Sequence, residues 1–271
     1  MEIKNGIAVV TGAASGIGSA VAHELARRGA KAIALVDQSE TVMETANRIE
    51  RFAHTEVQPF MGDTTDPEFR KRVFDRFCDQ HGTVNLCIPA AGITRDALAV
   101  KINHETGEPD IYSSEQFRLV VEVDLVAPVY WALETLARIA KSRKARNLTR
   151  WNPEEGVQGV IVFIGSVSSS GVKGQLAYSA SKAGLEGAAA TLSKEATFYG
   201  VRCGVIHPGF TDTPMVRALG DDYIRTHILP DTQLGRLIRP EEIADAICFM
   251  ISNSAVTGQL WADAGWHPSA A

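Results

Sequence analysis

The sequence of 271 residues predicts an α/β fold, a single doubly wound parallel sheet with helices on both of its faces. Two observations predict it. Short apolar, β-branched runs alternate with longer segments of helical periodicity, as in repeated β–α units. The short runs are apolar at nearly every position, as in strands that are covered by helices on both sides. Since the chain shows neither a linker nor an internal repeat, we expect one domain over 1–271.

The elements follow one another regularly along the chain. Seven runs are predicted to be strands: 6–12, 31–37, 55–60, 84–90, 159–166, 202–209 and 258–265. Six segments have helical periodicity: 18–29, 41–52, 66–82, 113–142, 181–200 and 240–252. Several of these segments end at a glycine, which is common at the C-terminal end of a helix.

Two segments interrupt the alternation. Residues 141–159 form a long, partly basic connection where a short one would suffice, and we expect a solvated surface insertion there. Contact with an acidic partner is the alternative. Residues 213–240 follow a predicted strand and contain no clear strand themselves. They are either a lid over a site or an ordinary pair of surface helices.

Composition argues against several classes of protein. The net charge of −5 disfavours a nucleic-acid-binding surface, and no apolar run approaches the ~18 residues needed to span a bilayer. The four cysteines are scattered, without a C-x-x-C pair or a histidine at metal-ligand spacing, so we predict reduced thiols and no metal site. The N-terminal residues have no signal-peptide pattern, and we predict a cytoplasmic protein.

A glycine-rich turn, TGAASGIG at 11–18, lies between the first predicted strand and the first predicted helix. Glycines in such a turn let the backbone approach a pyrophosphate closely, and the N-terminus of the helix supplies N–H donors. The turn therefore predicts a dinucleotide site. Its predicted members are Gly12, Ser15, Gly16, Ile17 and Gly18.

Asp37 ends the second predicted strand, 19 residues after Gly18. A carboxylate about 20 residues after such a turn typically binds the adenosine ribose of NAD. The same carboxylate would repel the 2′-phosphate of NADP, so we predict that NAD is preferred. A glycine-rich turn with a helix-capping Asp is the purely structural alternative.

The stretch AYSASKAG, 177–184, places Tyr178 four residues before Lys182 among small side chains. On a helix these two residues share one face. An ammonium favours the ionised form of a neighbouring phenol, which would suit Tyr178 for proton exchange with a substrate. A pattern this short also occurs by chance on amphipathic helices.

Taken in order, these motifs resemble those of the classical short-chain dehydrogenases/reductases. The resemblance covers nearly the whole chain and rests on TGAASGIG, GDTTD, AAG, IGS, YSASK, HPGFTDTPM and VTGQLWADAG. It implies a Rossmann-type catalytic domain in which Tyr178 is the general acid/base. Lys182 would lower the phenol pKa and hold the nicotinamide ribose, and Ser166 would hydrogen-bond the reacting oxygen. The further cofactor contacts that it implies are Asp63, Thr64, Ala91, Gly92, Thr211 and Thr213.

Three positions depart from the family pattern. PAAG at 89–92 stands where N-N-A-G is usual, and Pro89 lacks a backbone donor. Ser166 and Tyr178 are 12 residues apart, one fewer than usual. Asp124 occupies the place of the active-site asparagine, so we include it in the catalytic set and expect an altered proton relay behind Lys182.

Within that family, AGITRDALAVKI and the motifs from 165 to 252 most resemble 3-oxoacyl-acyl-carrier-protein reductases and 3-hydroxyacyl-CoA dehydrogenases. The resemblance implies a small-molecule substrate, a 3-oxoacyl or 3-hydroxyacyl thioester, and a homo-oligomer, since members are commonly tetramers. The carrier-protein reductases usually use NADPH, whereas Asp37 indicates NAD. A dehydrogenase of an unrelated secondary alcohol (a sugar, polyol or steroid-like molecule) and an NAD-binding sensor that has lost its chemistry are the alternatives.

Overall fold

The fold is known from a computed structural model that describes residues 1–266. The strands are β1 (Ile7–Thr11), β2 (Ala32–Asp37), β3 (Glu56–Met61), β4 (Leu86–Pro89), β5 (Val100–Ile102), β6 (Pro109–Ile111), β7 (Gly159–Ile164), β8 (Val201–Pro208) and β9 (Gly258–Ala262). Seven of them form one parallel sheet in the order β3-β2-β1-β4-β7-β8-β9, and β5 and β6 form a separate antiparallel hairpin. The predicted doubly wound fold is confirmed.

Helices cover both faces of this sheet. They are α1 (Gly16–Arg27), α2 (Thr41–Glu50), α3 (Pro67–His81), α4 (Ser114–Val121), α5 (Ala127–Ala145), α6 (Leu176–Glu195), α7 (Pro214–Arg217), α8 (Asp221–Tyr223) and α9 (Pro240–Ser252). One apolar core lies between the sheet and α1, α2 and α9, and a second lies between the sheet and α3, α5 and α6. The strands β1, β4 and β7 are buried along their whole length, which explains their continuously apolar sequences.

The structure corrects the predicted helices in two places. The segment predicted as one helix over 113–142 contains a π-helical stretch, Glu122–Val126, between α4 and α5. Such stretches are rare and often lie at functional sites, and this one carries Asp124. The helix predicted from 181 begins at Leu176, so Tyr178 and Lys182 lie on the same helix, α6.

The 141–159 segment is anchored to the body more firmly than a solvated insertion would be. Its first residues prolong α5, and the buried side chain of Arg143 donates hydrogen bonds to Glu155 Oε2 (2.6 Å), Glu155 Oε1 (3.2 Å) and Thr149 O (3.0 Å). The Trp151 ring packs against Gly200. The remaining basic residues of the segment are exposed. Arg143 thus has an acidic partner within the chain itself.

The 213–240 segment consists of short helical pieces with a small apolar core of their own. Ile224, Ile228 and Leu237 are its buried residues. The segment borders the main cavity of the molecule through its first three residues, 213–215. Within residues 1–266, no helix is both long enough and apolar enough to cross a membrane, and all four cysteines are free thiols.

Because Arg143 is buried, we expect Arg143→Met to destabilise the fold. The variant removes the bonds that the buried Arg143 side chain makes to the partly exposed Glu155 and to Thr149, and we expect the free energy of unfolding to fall by about 1–3 kcal/mol. Urea denaturation followed by circular dichroism measures it. Lys144→Met, an exposed neighbour with the same change in charge, is the control and should stay within about 0.5 kcal/mol of the parent. Equal stability of the two variants would contradict the anchoring role of Arg143.

Candidate active site

A cavity of about 500 Å³ lies at the carboxyl ends of the strands. There the chain runs from β1 to β2 on one side and returns to β4 on the other, which is where doubly wound sheets bind their ligands. Thirteen of the predicted site residues line the cavity: Gly12, Ser15, Gly16, Ile17, Gly18, Asp37, Asp63, Thr64, Ala91, Gly92, Tyr178, Lys182 and Thr213.

The glycine-rich turn has the tight geometry that its sequence predicts. Gly12 has φ +65°, and a Cβ on it would lie 2.8 Å from Ala90 O and Ala91 N. A Cβ on Gly18 would lie 2.2 Å from Gly12 O. Since the obstructing atoms are backbone, side chains are excluded at both positions. Because neither position carries a side chain, a ligand can come close to the backbone of the turn.

The start of α1 faces this same cavity. Ser15 is the residue before the helix, in an extended conformation, and no side chain in the described part of the chain caps the first turn. No acidic residue lies in that turn. The N–H donors and the positive end of the helix are thus available to an anion, and together with the tight turn they fit a dinucleotide pyrophosphate.

Two carboxylates line the cavity beyond the turn. Asp37 accepts hydrogen bonds from Ala14 N (3.0 Å) and Ser39 N (2.9 Å), one on each oxygen. Asp63 Oδ1 accepts from Thr65 N and from its hydroxyl. Asp37 is therefore held at the end of β2 in a fixed orientation, and its partners in the described chain are neutral N–H groups.

Lys182 is buried in α6 and lies between a carbonyl and a carboxylate. Its ammonium donates to Ile164 O (3.1 Å) and lies 3.4 Å from Asp124 Oδ2. Burial acts to lower the pKa of Lys182, but Asp124 and Tyr178 raise that pKa by more. Burial raises the pKa of Asp124, against the opposing effect of Lys182. The neighbouring carboxylate therefore keeps Lys182 in its ammonium form.

Tyr178 is half-buried beside Lys182, whose ammonium lies 5.3 Å from the centre of the phenol ring. Burial raises the phenol pKa, Lys182 lowers it, Asp124 raises it and the hydroxyl of Ser166 lowers it, with a net increase. Lys182 therefore lowers the phenol pKa of Tyr178, as expected, but burial raises that pKa by more. In the protein without ligand, the phenol keeps its proton at neutral pH.

Ser166 lies beside Tyr178 although the two are one residue closer in sequence than in the family pattern. It lies two residues after β7, and its hydroxyl accepts from Ser168 N (3.0 Å) at the start of a short 3₁₀-helix. The buried ring of His207 contacts Ser166 O through Nδ1 (3.1 Å). The strand and these two contacts hold the serine in place.

The loop PAAG is braced without the two asparagines of the family pattern. Ala91 N donates to the hydroxyl of Thr11 (3.1 Å), and Ile93 N donates to Asp124 Oδ1 (2.8 Å). Pro89 is the last residue of β4, where a missing backbone donor interrupts the sheet least. Asp124 therefore contacts the loop through one oxygen and Lys182 through the other.

Three predicted site residues do not line the cavity. Asp124 and Ser166 lie behind Lys182 and beside Tyr178. Thr211, predicted at the nicotinamide end, is buried in its loop: its hydroxyl donates to Gly209 O (3.0 Å) and its backbone pairs with Ile238.

Sequence reasoning missed ten lining residues: Gln38, Gly62, Ala90, Ile93, Arg95, Leu119, Val123, Ile164, Pro214 and Met215. Most of them are direct neighbours of predicted residues, which is the signal that could have found them. Arg95 is different, because it is a cation in the loop after β4 and is not adjacent in sequence to any predicted site residue. Within residues 1–266, no group of three or more His, Cys, Asp or Glu side chains is arranged to hold a metal ion.

Comparison with known proteins identifies the family. A family profile described as enoyl-(acyl carrier protein) reductase matches residues 12–267. The 3-oxoacyl-acyl-carrier-protein reductase FabG of Escherichia coli is 33% identical over 262 residues, which is 96% of each chain. The chain belongs to the short-chain dehydrogenase/reductase family. It is an oxidoreductase of that family and uses a nicotinamide cofactor.

Other members of the short-chain dehydrogenase/reductase family are similar over the same length. FabG of Thermotoga maritima is 31% identical and the cis-4-hydroxycyclohexanecarboxylate dehydrogenase of Sinomonas cyclohexanicum is 30% identical, each over 96% of both chains. The crystal structure of a short-chain type dehydrogenase/reductase from Mycobacterium marinum has a TM-score of 0.81 at 21% identity and covers 98% of this chain and 96% of its own. That structure supports the fold.

We expect Asp124→Asn to shift the pH–rate profile of alcohol oxidation to lower pH. With Tyr178 as the predicted base, oxidation needs its phenolate. The carboxylate of Asp124 raises the phenol pKa, whereas the amide carries no charge and its oxygen can still accept from Ile93 N. Turnover at neutral pH should stay within about ten-fold of the parent enzyme.

The matched control is Glu122→Gln, an exposed residue of the same π-helical stretch with the same change in charge. Its profile should coincide with that of the parent enzyme. An unshifted profile in Asp124→Asn would show that this carboxylate does not act on Tyr178. A loss above about a hundred-fold with the fold intact would instead give the carboxylate a catalytic role of its own.

Proposed function

We propose that the protein transfers a hydride between NAD(H) and a carbonyl or secondary alcohol, and that its substrate is a 3-oxoacyl or 3-hydroxyacyl thioester. The observation that carries this proposal is the position of Tyr178 and Lys182 in the same cavity as the glycine-rich turn, with Ser166 beside the phenol. The proposed proton donor, Tyr178, and the proposed dinucleotide-binding turn therefore line the same cavity.

In this proposal Tyr178 and Ser166 hydrogen-bond the oxygen of the substrate. During reduction Tyr178 gives its phenolic proton to that oxygen, and during oxidation the phenolate takes the proton from the alcohol. Lys182 stabilises the phenolate by its charge, and Asp124 holds the lysine in place. When bound, the nicotinamide supplies or accepts the hydride. Gly12, Gly16 and Gly18 would hold the pyrophosphate of the dinucleotide.

The protonation of Tyr178 favours carbonyl reduction near neutral pH. Because burial raises the phenol pKa, the resting group is a proton donor, which is the form that reduction needs. Oxidation needs the phenolate and should therefore increase with pH. The reductase names of the family profile and of the FabG relatives agree with this direction.

Tyr178→Phe should lower turnover by about a hundred-fold or more, since it removes the proton donor and keeps the ring. Cofactor binding should survive, because the glycine-rich turn is untouched. Steady-state turnover and a fluorescence titration with NADH measure the two effects separately. Tyr223→Phe, at an exposed tyrosine of α8 that does not line the cavity, is the control and should match the parent enzyme. Turnover of Tyr178→Phe within a few-fold of the parent enzyme would refute the acid/base role.

The preference for NAD rests on Asp37. A ribose diol can donate hydrogen bonds to its carboxylate, whereas a 2′-phosphate would place two negative charges beside it. In the described chain no lysine or arginine forms an ion pair with Asp37, and the next lining residue is the neutral Gln38.

We therefore expect the protein to bind NADH at least about ten-fold more tightly than NADPH, with Asp37→Ala narrowing the gap. Calorimetric titration with each cofactor measures this. Glu40→Ala, an exposed acid just outside the cavity, should leave the preference unchanged. Equal affinity of the unmodified protein for the two cofactors would overturn the proposal.

The names of two groups of relatives support different substrates. The FabG relatives are named for 3-oxoacyl groups on acyl-carrier protein, and they support the thioester. The dehydrogenase of Sinomonas cyclohexanicum is named for a ring alcohol that carries a carboxylate, and it supports a secondary alcohol without a thioester as the second candidate. Assays with 3-hydroxyacyl thioesters and with simple and cyclic secondary alcohols distinguish them.

A sensor without catalysis receives little support, because Ser166, Tyr178 and Lys182 are all in contact with one another or with the cavity.

The exposed Tyr130 and Leu133 on α5 are available to an interface, which supports a homo-oligomer. We extend the proposal to a cytoplasmic enzyme, in keeping with its four free thiols.

A further inference from the structure

We propose that Arg95 binds an anionic group of the substrate, so that the substrate class is an apolar oxo or hydroxy compound that carries a carboxylate or a phosphate. The proposal rests on the proposed function and deepens it by naming what the substrate must contain. It concerns the part of the cavity that the glycine-rich turn does not line.

Arg95 is the cavity-lining cation that has no carboxylate partner in the described chain. The charged side chains that line the cavity are Asp37, Asp63, Arg95 and Lys182. Lys182 is matched by Asp124 at 3.4 Å. The guanidinium of Arg95 donates one hydrogen bond, from Nη1 to Thr94 O (2.7 Å), and no carboxylate of residues 1–266 forms an ion pair with it. Its remaining N–H donors are available to a ligand.

The backbone that carries Arg95 is held by three contacts. Tyr112 donates its hydroxyl proton to Arg95 O (2.7 Å). Gln175 Nε2 donates to Asp96 Oδ2 (2.9 Å), and Ala97 N donates to Gly174 O (2.9 Å). A cation on a fixed loop loses less freedom when it binds an anion than one on a mobile loop.

Two of these contacts join the Arg95 loop to the start of the catalytic helix. Gln175 immediately precedes α6, which carries Tyr178 three residues later. The side chain of Gln175 does not cap that helix but bonds to Asp96 instead. The protein therefore fixes the position of the Arg95 backbone relative to Tyr178, which limits how far the reacting oxygen and the anion of a substrate can be apart.

Apolar side chains also line the cavity. Ile93, Leu119, Val123 and Met215 line it together with Arg95. Such a wall favours a hydrocarbon body, and a single unmatched arginine favours one anionic group. The carboxylate of a free acid and a phosphate of a coenzyme A thioester share this chemistry, and the experiments below distinguish them.

The first experiment measures binding without turnover. Ligand-observed NMR titrations compare hexanoate with hexanamide, two probes of the same shape that differ in charge, on the protein with NADH and on the protein alone. We expect hexanoate to bind about ten-fold more tightly than hexanamide, and Arg95→Gln to remove that difference. Arg95→Lys should retain part of it.

The control is Arg118→Gln, at an exposed arginine of α4 that does not line the cavity. It has the same change in charge and should keep the preference for hexanoate. Equal binding of the two probes to the unmodified protein, or an unchanged preference in Arg95→Gln, would overturn the proposal. An equal loss of preference in both variants would do so as well, because it would reflect net charge alone.

The second experiment identifies the anion. Oxidation of 3-hydroxyhexanoate is compared with that of its methyl ester, and oxidation of 3-hydroxybutyryl-coenzyme A with that of the N-acetylcysteamine thioester. If Arg95→Gln raises KM about ten-fold for the free acid alone, the anion is a carboxylate, and if it does so for the coenzyme A ester alone, the anion is a phosphate. Equal changes for charged and neutral members of both pairs would overturn the role of Arg95. Absence of turnover with all four compounds would contradict the proposed function, while the NMR titrations would still decide the role of Arg95.

Discussion

One buried carboxylate links the two halves of this site. Asp124 Oδ1 accepts from Ile93 N in the loop after β4, and Asp124 Oδ2 lies 3.4 Å from the ammonium of Lys182. The π-helical stretch Glu122–Val126 places this side chain between the loop and α6. Because Lys182 is buried, the nearby carboxylate of Asp124 favours its ammonium form by raising its pKa. The position of the cofactor loop and the charge beside Tyr178 therefore depend on the same residue.

Most of the fold could be predicted because local patterns of apolar residues and glycines determine it. The buried strands are apolar throughout, and α1 follows a glycine-rich turn that only glycine can form at Gly12 and Gly18. The errors lie where contacts distant in sequence decide. The hairpin of β5 and β6 is exposed along its length, so no apolar pattern marks it. The buried Arg143 depends on Glu155, and a basic run does not show which of its members is enclosed.

Sequence patterns predict which residues form the site better than they predict the pKa values of those residues. Spacing brought Tyr178 and Lys182 together, but the net pKa of the phenol depends on how deeply α6 is covered, which no short motif records. Thr211 was predicted by its place in a motif, and a hydrogen bond to Gly209 holds it away from the cavity. Arg95 was missed because its importance comes from the absence of a carboxylate partner in the described chain, which is a property of three-dimensional neighbours.

The central claim is that hydride transfer takes place in this cavity. Transfer of deuterium from substrate to cofactor tests it most directly. The protein is mixed with NAD and 3-hydroxybutyryl-coenzyme A that carries deuterium at C3, and the cofactor is analysed by NMR and mass spectrometry. The account predicts deuterium at C4 of the nicotinamide, and loss of this transfer in Tyr178→Phe. Deuterium that stays in the substrate, or that passes into water without reduction of the cofactor, would contradict it.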